Sequence, residues 1–567
     1  MSRNLSCSRG YDLTVEPASI DEEHIFSAAI EDHLLTQLDV STEAVPAYKE
    51  IHYKPGAVTR ICLPPLDGDD RSLPRKLLIS RPITTPLSVI GNSTRAYWAV
   101  EDVGAPGSSK PRVVLLKDTW RLVGPGAEVE GDVIRELNQR GVRNVPSVVY
   151  HWDVCDPVER VPECEGKGKG KQKETVSEAV QTTITRDLLN HPWVCGRAAL
   201  QKSIVARTHY RLVLDIAGLD LLTLSGTHEL LHGAYDAYEA MTDAYTLANR
   251  LHCDIHPGNI ILYRDPNDPA CNPSSRKGYL IDWDHSRVLD GHVVTHEYYE
   301  PSLQWQFASN SLLARSSTGK VHEFEDDMES MFYVVLYCAL LRLEHNLAYH
   351  DLVGTLNALF DLAVNVKENT YGGHEKLFNK LDRRHTGALI WRNPHLQTWI
   401  DTVCDYMSPI STTPADRVGK WSADHLRDFW RDFLQTHHPL PRADGYDNVW
   451  LNLADINKHA PRSVQNTPNE ATTTAGSKRS RSEDEQDISS SKFQRTKTGK
   501  KATMWSSLLV PPPVDPISPS VVNNGLADIL ATNVRASSPV PGTSSAGRPS
   551  TTLVAARVLA VVGVSAT

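Results

Sequence analysis

The sequence lacks several features that would define a class of protein at once. Nine Cys are spread over 567 residues without a CxxC pair, which argues against a zinc site and a disulfide framework. The formal net charge is −10, so a generally basic nucleic-acid binder is not expected. The first residues have no apolar signal core. The apolar segment 551–567 is short for a membrane span and carries Arg557, so no membrane partner is expected.

Composition divides the chain into four segments. Residues 1–80 are expected to be a partly helical extension, because 25–38 spaces its apolar residues as an amphipathic helix does. Apolar runs dominate 81–215 and 216–437, apart from a Gly/Lys/Glu-rich island near 156–183 that predicts a disordered insertion. Ser, Thr and Pro then dominate 438–567, which predicts a mostly disordered tail. Basic clusters in this tail, between 478 and 501, favour a nuclear as well as a cytoplasmic location.

Two short motifs carry the first chemical signal. LHCDIHPGNIILY occupies residues 251–263, and YLIDWD occupies 279–284. NIILY and GYLID are rich in β-branched and apolar residues, which predicts two strands joined by a turn-rich loop. A hairpin brings its two open ends together, so we expect Asp254, Asn259 and Asp282 to converge at one edge of a small sheet.

Phosphoryl transfer requires this set of side chains. A carboxylate such as Asp254 orients the attacking hydroxyl, while an amide and a second carboxylate, here Asn259 and Asp282, hold Mg²⁺ on the phosphates. The alternative is structural, with Asp254 and Asn259 forming turns and Asp282 capping a strand. The strand pair that follows DxxxxN favours the phosphotransfer interpretation.

A cation on an upstream strand is the second requirement. PRVVLLKDTWR (111–121) predicts a strand that carries Lys117, and 126–142 predicts an amphipathic helix after it. Glu130 is the predicted partner of Lys117, with Glu128 and Glu136 as alternatives, so that Lys117 can hold the α- and β-phosphates of a nucleotide. A solvated lysine and an exposed helix carboxylate are the structural alternative.

The base and the phosphates need two further segments. In 210–222 a strand is followed by a small-residue turn, so the backbone of Asp215, Ile216 and Ala217 is the candidate for contact with adenine. A long helix is predicted over 227–251. Residues 88–100 predict a strand–turn–strand with Gly91 at the turn, where backbone amides can bind phosphate. A plain hairpin explains this last segment equally well.

The order of these motifs resembles the fungal-type protein kinase family over about residues 85–437. EFEDDMES (323–330) is also similar to the casein-kinase-1 group. The resemblance implies an α+β, bilobal protein-kinase-like fold, with a small β-rich N-lobe and a larger helical C-lobe. It implies an ATP- and Mg²⁺-dependent kinase acting on Ser/Thr of a protein substrate. It also implies that Asp327 braces the catalytic loop and that Arg417 is a structural arginine.

Departures from the family pattern leave two other functions open. Cys253 replaces the arginine before the catalytic aspartate, His256 stands two residues after Asp254, and Asp284 replaces the metal-loop glycine. HxDxHPGN also resembles the aminoglycoside and choline phosphotransferases, which phosphorylate small hydroxyl compounds. The single glycine at the phosphate turn is compatible with a pseudokinase that serves as a nucleotide-binding scaffold.

Overall fold

The computed structural model describes most of the chain between residues 12 and 445. The described residues are 12, 14–38, 45–63, 76–86, 91–102, 111–124, 126–155, 180–183, 206–266, 276–289, 305–314, 321–366 and 369–445. The basic clusters, the apolar segment at 551–567 and most of the Gly/Lys/Glu-rich island lie outside these residues. What we expect of those segments therefore stays a prediction.

A seven-stranded sheet occupies the first half of the described chain. Its strands are β1 (Val15–Pro17), β2 (Thr59–Cys62), β3 (Lys76–Ile79), β4 (Arg95–Asp102), β5 (Arg112–Leu122), β6 (Val148–Asp153) and β7 (Arg207–Leu214). The strand order is β1-β2-β3-β4-β5-β7-β6, and every neighbouring pair is antiparallel.

The two faces of this sheet bury different clusters. Successive side chains of a strand point to opposite faces, so Val113, Leu115 and Lys117 of β5 share one face while Val114 and Leu116 share the other. Val114 and Leu116 belong to a small separate core. Val113 and Leu115 belong to the main core that continues through the rest of the molecule. The amine of Lys117 is therefore carried on the inner face.

Among the described residues, three helices accompany the sheet. They are α1 (Ile20–Gln37), α2 (Val45–His52) and α3 (Glu130–Gln139). Helix α1 begins five residues before the predicted start, because Ser19 and Glu22 form a capping box in which each side chain accepts a hydrogen bond from the other's backbone N–H. Phe26, Ile30 and Leu34 place α1 in the main core, on the inner face of the sheet.

Helices dominate the second half. They are α4 (Thr227–Ala248), α5 (Asn310–Leu313), α6 (Phe324–Arg342), α7 (Tyr349–Leu356), α8 (His374–Asp382), α9 (Pro394–Met407) and α10 (Ala423–Thr436). Short strands lie between them: β8 (Leu219–Asp220), β9 (Arg250–Leu251), β10 (Ile260–Tyr263), β11 (Lys277–Leu280), β12 (Arg287–Val288), β13 (Ala363–Val366) and β14 (Asn369–Gly372). Helix α6 is buried along nearly its whole length. The α+β class is thus confirmed.

Two predicted helices are shorter than expected because their ends have local signals. Helix α3 starts at Glu130 rather than near 126, and Gly141 (φ 77°) follows its end. Helix α4 stops at Ala248, since Asn249 adopts a left-handed conformation with φ 50°. Gly and Asn tolerate this conformation best, so both residues are ordinary helix terminators.

The described residues continue to 445, past the predicted start of the tail at 438. The carboxylate of Asp444 accepts hydrogen bonds from the backbone N–H of Thr227 at 2.7 Å and from its hydroxyl at 2.6 Å. The N-cap residue of α4 is Gly226, which has no side chain to serve this purpose. Asp444, more than two hundred residues further along the chain, therefore caps α4.

The insertion predicted near 156–183 is interrupted by paired residues. Val180 forms a bridge with Cys155, and Thr182 forms one with Thr208 at the start of β7. Residues 180–183 therefore extend the edge of the sheet beside β7. Among the helices in the described ranges, none is both long and apolar enough to cross a membrane.

Candidate active site

Lys117 lies at the centre of a buried cluster of charges. Its Nζ atom is 2.7 Å from Glu130 Oε2, 2.6 Å from Asp282 Oδ1 and 3.3 Å from Asp284 Oδ2. The lysine is 8% exposed. Strand β5, helix α3 and the turn after β11 thus converge on one amine, although they are far apart in the sequence.

Glu130 is the predicted partner of Lys117, and the structure places the two in contact. Glu130 is the first residue of α3 and is buried. Its Oε1 atom also accepts a hydrogen bond from the backbone N–H of Trp283 at 3.1 Å. The two alternatives lie elsewhere, because Glu128 pairs with Arg250 at 2.7 Å and Glu136 pairs with Arg140 at 2.9 Å.

The catalytic-loop candidates lie beside this cluster. Asp254 is 7% exposed, and its Oδ1 atom has no hydrogen-bond partner among the described residues. Asn259 Nδ2 donates to the backbone carbonyl of Asp254 at 2.9 Å. The backbone carbonyl of Asn259 accepts from the N–H of Ile281 at 2.9 Å, which places the loop next to Asp282. An unpaired buried carboxylate oxygen is costly, so it marks a place where a ligand group is favoured.

Strands β10 and β11 form the predicted hairpin that creates this arrangement. Ile260 is opposite Leu280, and Tyr263 is opposite Lys277. Asp282 follows β11 in a left-handed conformation with φ 67°, which is uncommon for a residue with a side chain. This turn directs the carboxylate of Asp282 to Lys117.

Helix α6 holds the backbone of the catalytic loop. Asp327 Oδ2 accepts hydrogen bonds from the N–H groups of His252 and Cys253, at 3.1 and 3.2 Å. Cys253 has φ 67°, so the loop is sharply bent at the position where an arginine was expected. Arg417, the predicted structural arginine, does not contact this loop through the ion pair that it forms: its Nη1 atom is 3.0 Å from a carboxylate oxygen of Asp405.

The cluster contains more negative than positive charge. Burial and the neighbouring Asp282 and Asp284 raise the pKa of Asp254 well above its usual value. Burial raises the pKa of Glu130 to about 8 despite Lys117, and burial and Asp282 raise the pKa of Asp284. Burial opposes ionisation of Asp282 as well, but Lys117 brings its pKa below the ordinary value. Four carboxyl groups thus lie around the single ammonium group of Lys117 in this part of the described structure.

A divalent cation fits this excess of carboxylates. Carboxylate oxygens of Glu130, Asp282 and Asp284 all lie within 4.8 Å of one another, and oxygen ligands of this kind suit Mg²⁺. A second acidic group, Asp12, Asp118 and His209, differs from it. There the guanidinium of Arg211 already binds both Asp12 and Asp118.

The predicted hinge connects β7 to β8. The N–H of Asp215 donates to the carbonyl of Ser147 at 3.0 Å, and its own carboxylate accepts from the N–H of Ser147 at 2.8 Å. The carbonyl groups of Asp215 and Ala217 are both acceptors of side-chain hydrogen bonds, from Arg112 at 2.6 Å and from His33 at 2.7 Å. Ile216 is buried. Of the three carbonyls predicted to contact adenine, those of Asp215 and Ala217 are therefore already hydrogen-bonded to side chains of the protein.

The predicted phosphate turn lies over the turn 281–284, which carries Asp282 and Asp284 and which we call the metal loop after its predicted role. Gly91 has φ 108°, and among the described residues no atom beyond its chain neighbours lies within 4 Å of a Cβ built on it. The next residue, Asn92, donates from Nδ2 to Asp284 Oδ2 at 3.2 Å. Residues 87–90, the predicted strand before the turn, lie outside the described residues.

His256 is neutral in this site. Burial lowers its pKa to about 4, its Nδ1 atom accepts a hydrogen bond from the N–H of Gly258 at 3.1 Å, and its Nε2 atom is 3.8 Å from Asp254 Oδ2. The ring can donate a hydrogen bond toward Asp254 or a bound substrate.

Sequence reasoning missed the part that Asp284 plays. We treated it only as a replacement for glycine, whereas its carboxylate contacts both Lys117 and Asn92. The signal was available, because two aspartates at i and i+2 after a strand can both reach one cleft when the turn between them is tight. The contribution of His33 at the hinge had no comparable local signal.

An antiparallel sheet, a helical second half and a buried lysine–carboxylate cluster between them define a protein of the kinase class. The sequence model of the family described as "Fungal protein kinase" matches residues 55–339. The chain therefore belongs to the fungal protein kinase family. A comparison with the curated proteins found no match.

Proposed function

We propose that the protein is an ATP- and Mg²⁺-dependent kinase that transfers the γ-phosphate of ATP to Ser/Thr hydroxyls of a protein substrate. The observation that carries the proposal is the contact of Lys117 with Glu130 and Asp282 at 2.7 and 2.6 Å, next to Asp254. A purely structural lysine does not need an excess of buried carboxylates around it, whereas a metal–phosphate site does.

Each side chain has a distinct task in this proposal. Lys117, held by Glu130, binds the α- and β-phosphate oxygens of ATP. Asp254 accepts the proton of the attacking hydroxyl, since its Oδ1 atom has no partner among the described residues. Asn259 and Asp282 hold Mg²⁺, with Asp284 as a further carboxylate, and Gly91 offers backbone to the phosphates. Bound Mg²⁺ neutralises the phosphate oxygens during transfer.

The direct test compares phosphotransfer by the wild type and by Asp254→Asn. With ATP and Mg²⁺, the wild type is expected to label a generic Ser/Thr substrate or itself. Asp254→Asn should lose at least about a hundredfold of this rate, as expected for the loss of a general base, while it still binds ATP. Asp351→Asn, an exposed aspartate on α7, is the matched control and should keep full activity. Equal labelling by the wild type and Asp254→Asn would show that the activity is a contaminant.

A nucleotide-binding pseudokinase is the second candidate. The occupied carbonyls of Asp215 and Ala217 favour it, because they leave adenine fewer acceptors. The unfolding midpoint separates the two functions, since any ligand that binds only the folded state must raise it. A rise with ATP and Mg²⁺ but no transfer to proteins or to small hydroxyl compounds would identify the pseudokinase. Location in the cytoplasm or the nucleus stays a prediction from the basic clusters at 478–501.

A further inference from the structure

Side chains of the protein itself occupy the hinge. Three of the four carbonyls between residues 215 and 218 accept side-chain hydrogen bonds there: Asp215 from Arg112 at 2.6 Å, Ala217 from His33 at 2.7 Å, and Gly218 from Trp98 at 3.2 Å. Of these donors, His33 comes from α1, which precedes the whole sheet except β1. An adenine base that hydrogen-bonds to these carbonyls has to compete with the side-chain donors already bound to them.

The ring of Trp98 is enclosed on both sides at this place. It is 0% exposed and stacks on His52 with centroids 3.7 Å apart and planes at 6°. The edge of His33 meets it at 4.7 Å, and His33 in turn stacks over Tyr263 of β10 at 6.2 Å. Trp98 is opposite Leu115, two residues before Lys117 on the same face of β5. His52, Trp98, His33 and Tyr263 therefore form a continuous series of ring contacts from the sheet half to β10, and His33 in this series also binds the carbonyl of Ala217.

The last turn of α1 also ties the two halves of the fold together. Gln37 Oε1 accepts from the backbone N–H of Arg264, and Gln37 Nε2 donates to its carbonyl, both at 2.7 Å. Arg264 Nη1 donates to the carbonyl of Thr36 at 3.0 Å. At the opposite end of α1, Glu22 pairs with Arg60 of β2 at 3.2 Å and Lys76 of β3 at 3.5 Å. Helix α1 is thus anchored to the sheet at one end and clamped to the hinge and β10 at the other.

We propose that α1 is an intramolecular inhibitor. Its last turn, residues 33–37, occupies the base-binding end of the cleft, and adenine can enter only after this turn has moved away. The inference rests on the proposed function, since it concerns entry of the nucleotide into that same cleft. In this state Lys117 and its carboxylates can accept a metal–triphosphate, but adenine cannot reach the carbonyl of Ala217. Release of His33 and Gln37 frees the carbonyl of Ala217, while the ion pairs of Glu22 keep the helix attached.

This arrangement has a measurable consequence for affinity. If the open state is populated in only one molecule in ten, the apparent dissociation constant of ATP is about tenfold above the intrinsic one. A ligand without a base is not subject to this factor. Inorganic triphosphate with Mg²⁺ is therefore the probe that distinguishes a closed base site from a defective phosphate site.

The experiment measures binding of Mg–ATP and of Mg–triphosphate to the full chain by titration calorimetry. The double substitution His33→Ala, Gln37→Ala removes the clamp, and Leu35→Ala, an exposed residue in the same turn (43% exposed), is the matched control. We expect the double variant to bind ATP about tenfold more tightly, with unchanged affinity for triphosphate. Leu35→Ala should match the wild type for both ligands. Unchanged triphosphate binding also shows that the variant is folded.

The opposite results are equally clear. Equal or weaker ATP binding by the double variant, with triphosphate binding retained, would overturn the inhibitor while leaving the proposed function in place. Failure of the wild type and of the variants to bind either ligand would refute the proposed function, and the inhibitor with it. Hydrogen exchange gives an independent readout, because saturating ATP should accelerate exchange of the amides of residues 33–37 in the wild type.

Discussion

A carboxylate at position 284 adds a negative charge to a cleft that already holds three carboxyl groups. Asp284 contacts Lys117 at 3.3 Å and accepts a hydrogen bond from Asn92 at 3.2 Å. It therefore connects the phosphate turn to the metal loop through one side chain. Two opposing effects follow, because the same charge that repels Asp282 in the empty cleft attracts a divalent cation when one is offered.

Asp284→Asn is expected to separate these effects. Without Mg²⁺ the variant should have a higher unfolding midpoint than the wild type, since one repulsive charge is gone. With ATP present, the Mg²⁺ concentration for half-maximal stabilisation should rise about tenfold, which corresponds to about 1.4 kcal/mol. Thermal unfolding over a MgCl₂ series measures both. Asp132→Asn, an exposed aspartate of α3 (side chain 64% exposed), should show neither change; if it did, a general charge effect would be the cause.

The raised pKa values predict how stability depends on pH. Burial raises the pKa of Glu130 to about 8 from 4.5, so the folded state holds this proton more tightly than the unfolded chain. The resulting stability is present in full below pH 4.5 and is lost as pH rises through 8, at up to about 1.4 kcal/mol per pH unit for one proton. In the proposed function, Mg²⁺ binding to the carboxyl groups of Glu130, Asp282 and Asp284 competes with this proton.

The gain in unfolding midpoint caused by Mg²⁺ should therefore be larger at pH 8.5 than at pH 6. Parallel melts at the two pH values, with and without Mg²⁺, measure this difference. A gain that is independent of pH would mean that the cation does not bind at the protonated carboxyl groups. The gains in unfolding midpoint caused by Ca²⁺ and by Mg²⁺ can be compared in the same series, because the two cations differ in the number of oxygen ligands that they require.

At the scale of elements, the catalytic loop depends on caps and anchors supplied from distant segments. Asp327 of α6 binds two loop N–H groups, and Asp444 caps α4, which leads into the loop. The element patterns were readable in the sequence because apolar spacing and terminator residues are local. The source of the α4 cap was not, since Asp444 and Thr227 are 217 residues apart.

Asp444→Ala should destabilise the protein through the start of α4. Loss of an N-cap costs about 1 kcal/mol and up to about 2, so the urea midpoint should fall without a change in slope. Asp432→Ala, on the exposed side of α10 (side chain 65% exposed), should leave the midpoint within experimental error. An unchanged midpoint for Asp444→Ala would mean that the segment 438–445 does not hold α4 in solution.

At the scale of the whole molecule, buried and half-buried ion pairs set the position of the sheet half against the helical half. Arg250 is 1% exposed and binds both carboxylate oxygens of Glu128, just before α3, at 2.7 and 2.8 Å. Arg143 binds Asp243 and Glu239 of α4 at 2.7 and 2.6 Å. Because Glu130 follows Glu128 by two residues, the Arg250 pair also positions the partner of Lys117.

Arg250→Met is expected to lower phosphotransfer more than its effect on stability would explain. Glu128 is half exposed and can be solvated when the arginine is removed, so the stability cost should be about 2 kcal/mol rather than the 3–5 of a fully buried pair. Activity measured at a temperature where the variant is folded should still fall, because α3 is no longer held. Arg140→Met, which removes an exposed pair with Glu136, is the control. Full activity in Arg250→Met would argue against this positioning.

The division between what could and could not be predicted follows sequence distance. The strand pair β10–β11, helix α3 and the Lys117–Glu130 contact follow from patterns within about thirty residues, where periodicity and turn chemistry are decisive. The His33–Ala217 contact joins residues 184 positions apart, and no local pattern links them. Helix α1 was predicted, but its place on the inner face of the sheet depends on which apolar surface remains uncovered there.

The filled hinge has a practical consequence for chemical probes. Compounds designed to mimic adenine gain much of their affinity from hydrogen bonds to hinge backbone, and here the carbonyls of Asp215, Ala217 and Gly218 already have donors. Screening such a library against the wild-type chain should yield few hits, whatever the enzyme does in the cell. Compounds that insert between His33 and Tyr263 are the better starting point, because these two rings lie next to the occupied carbonyl of Ala217.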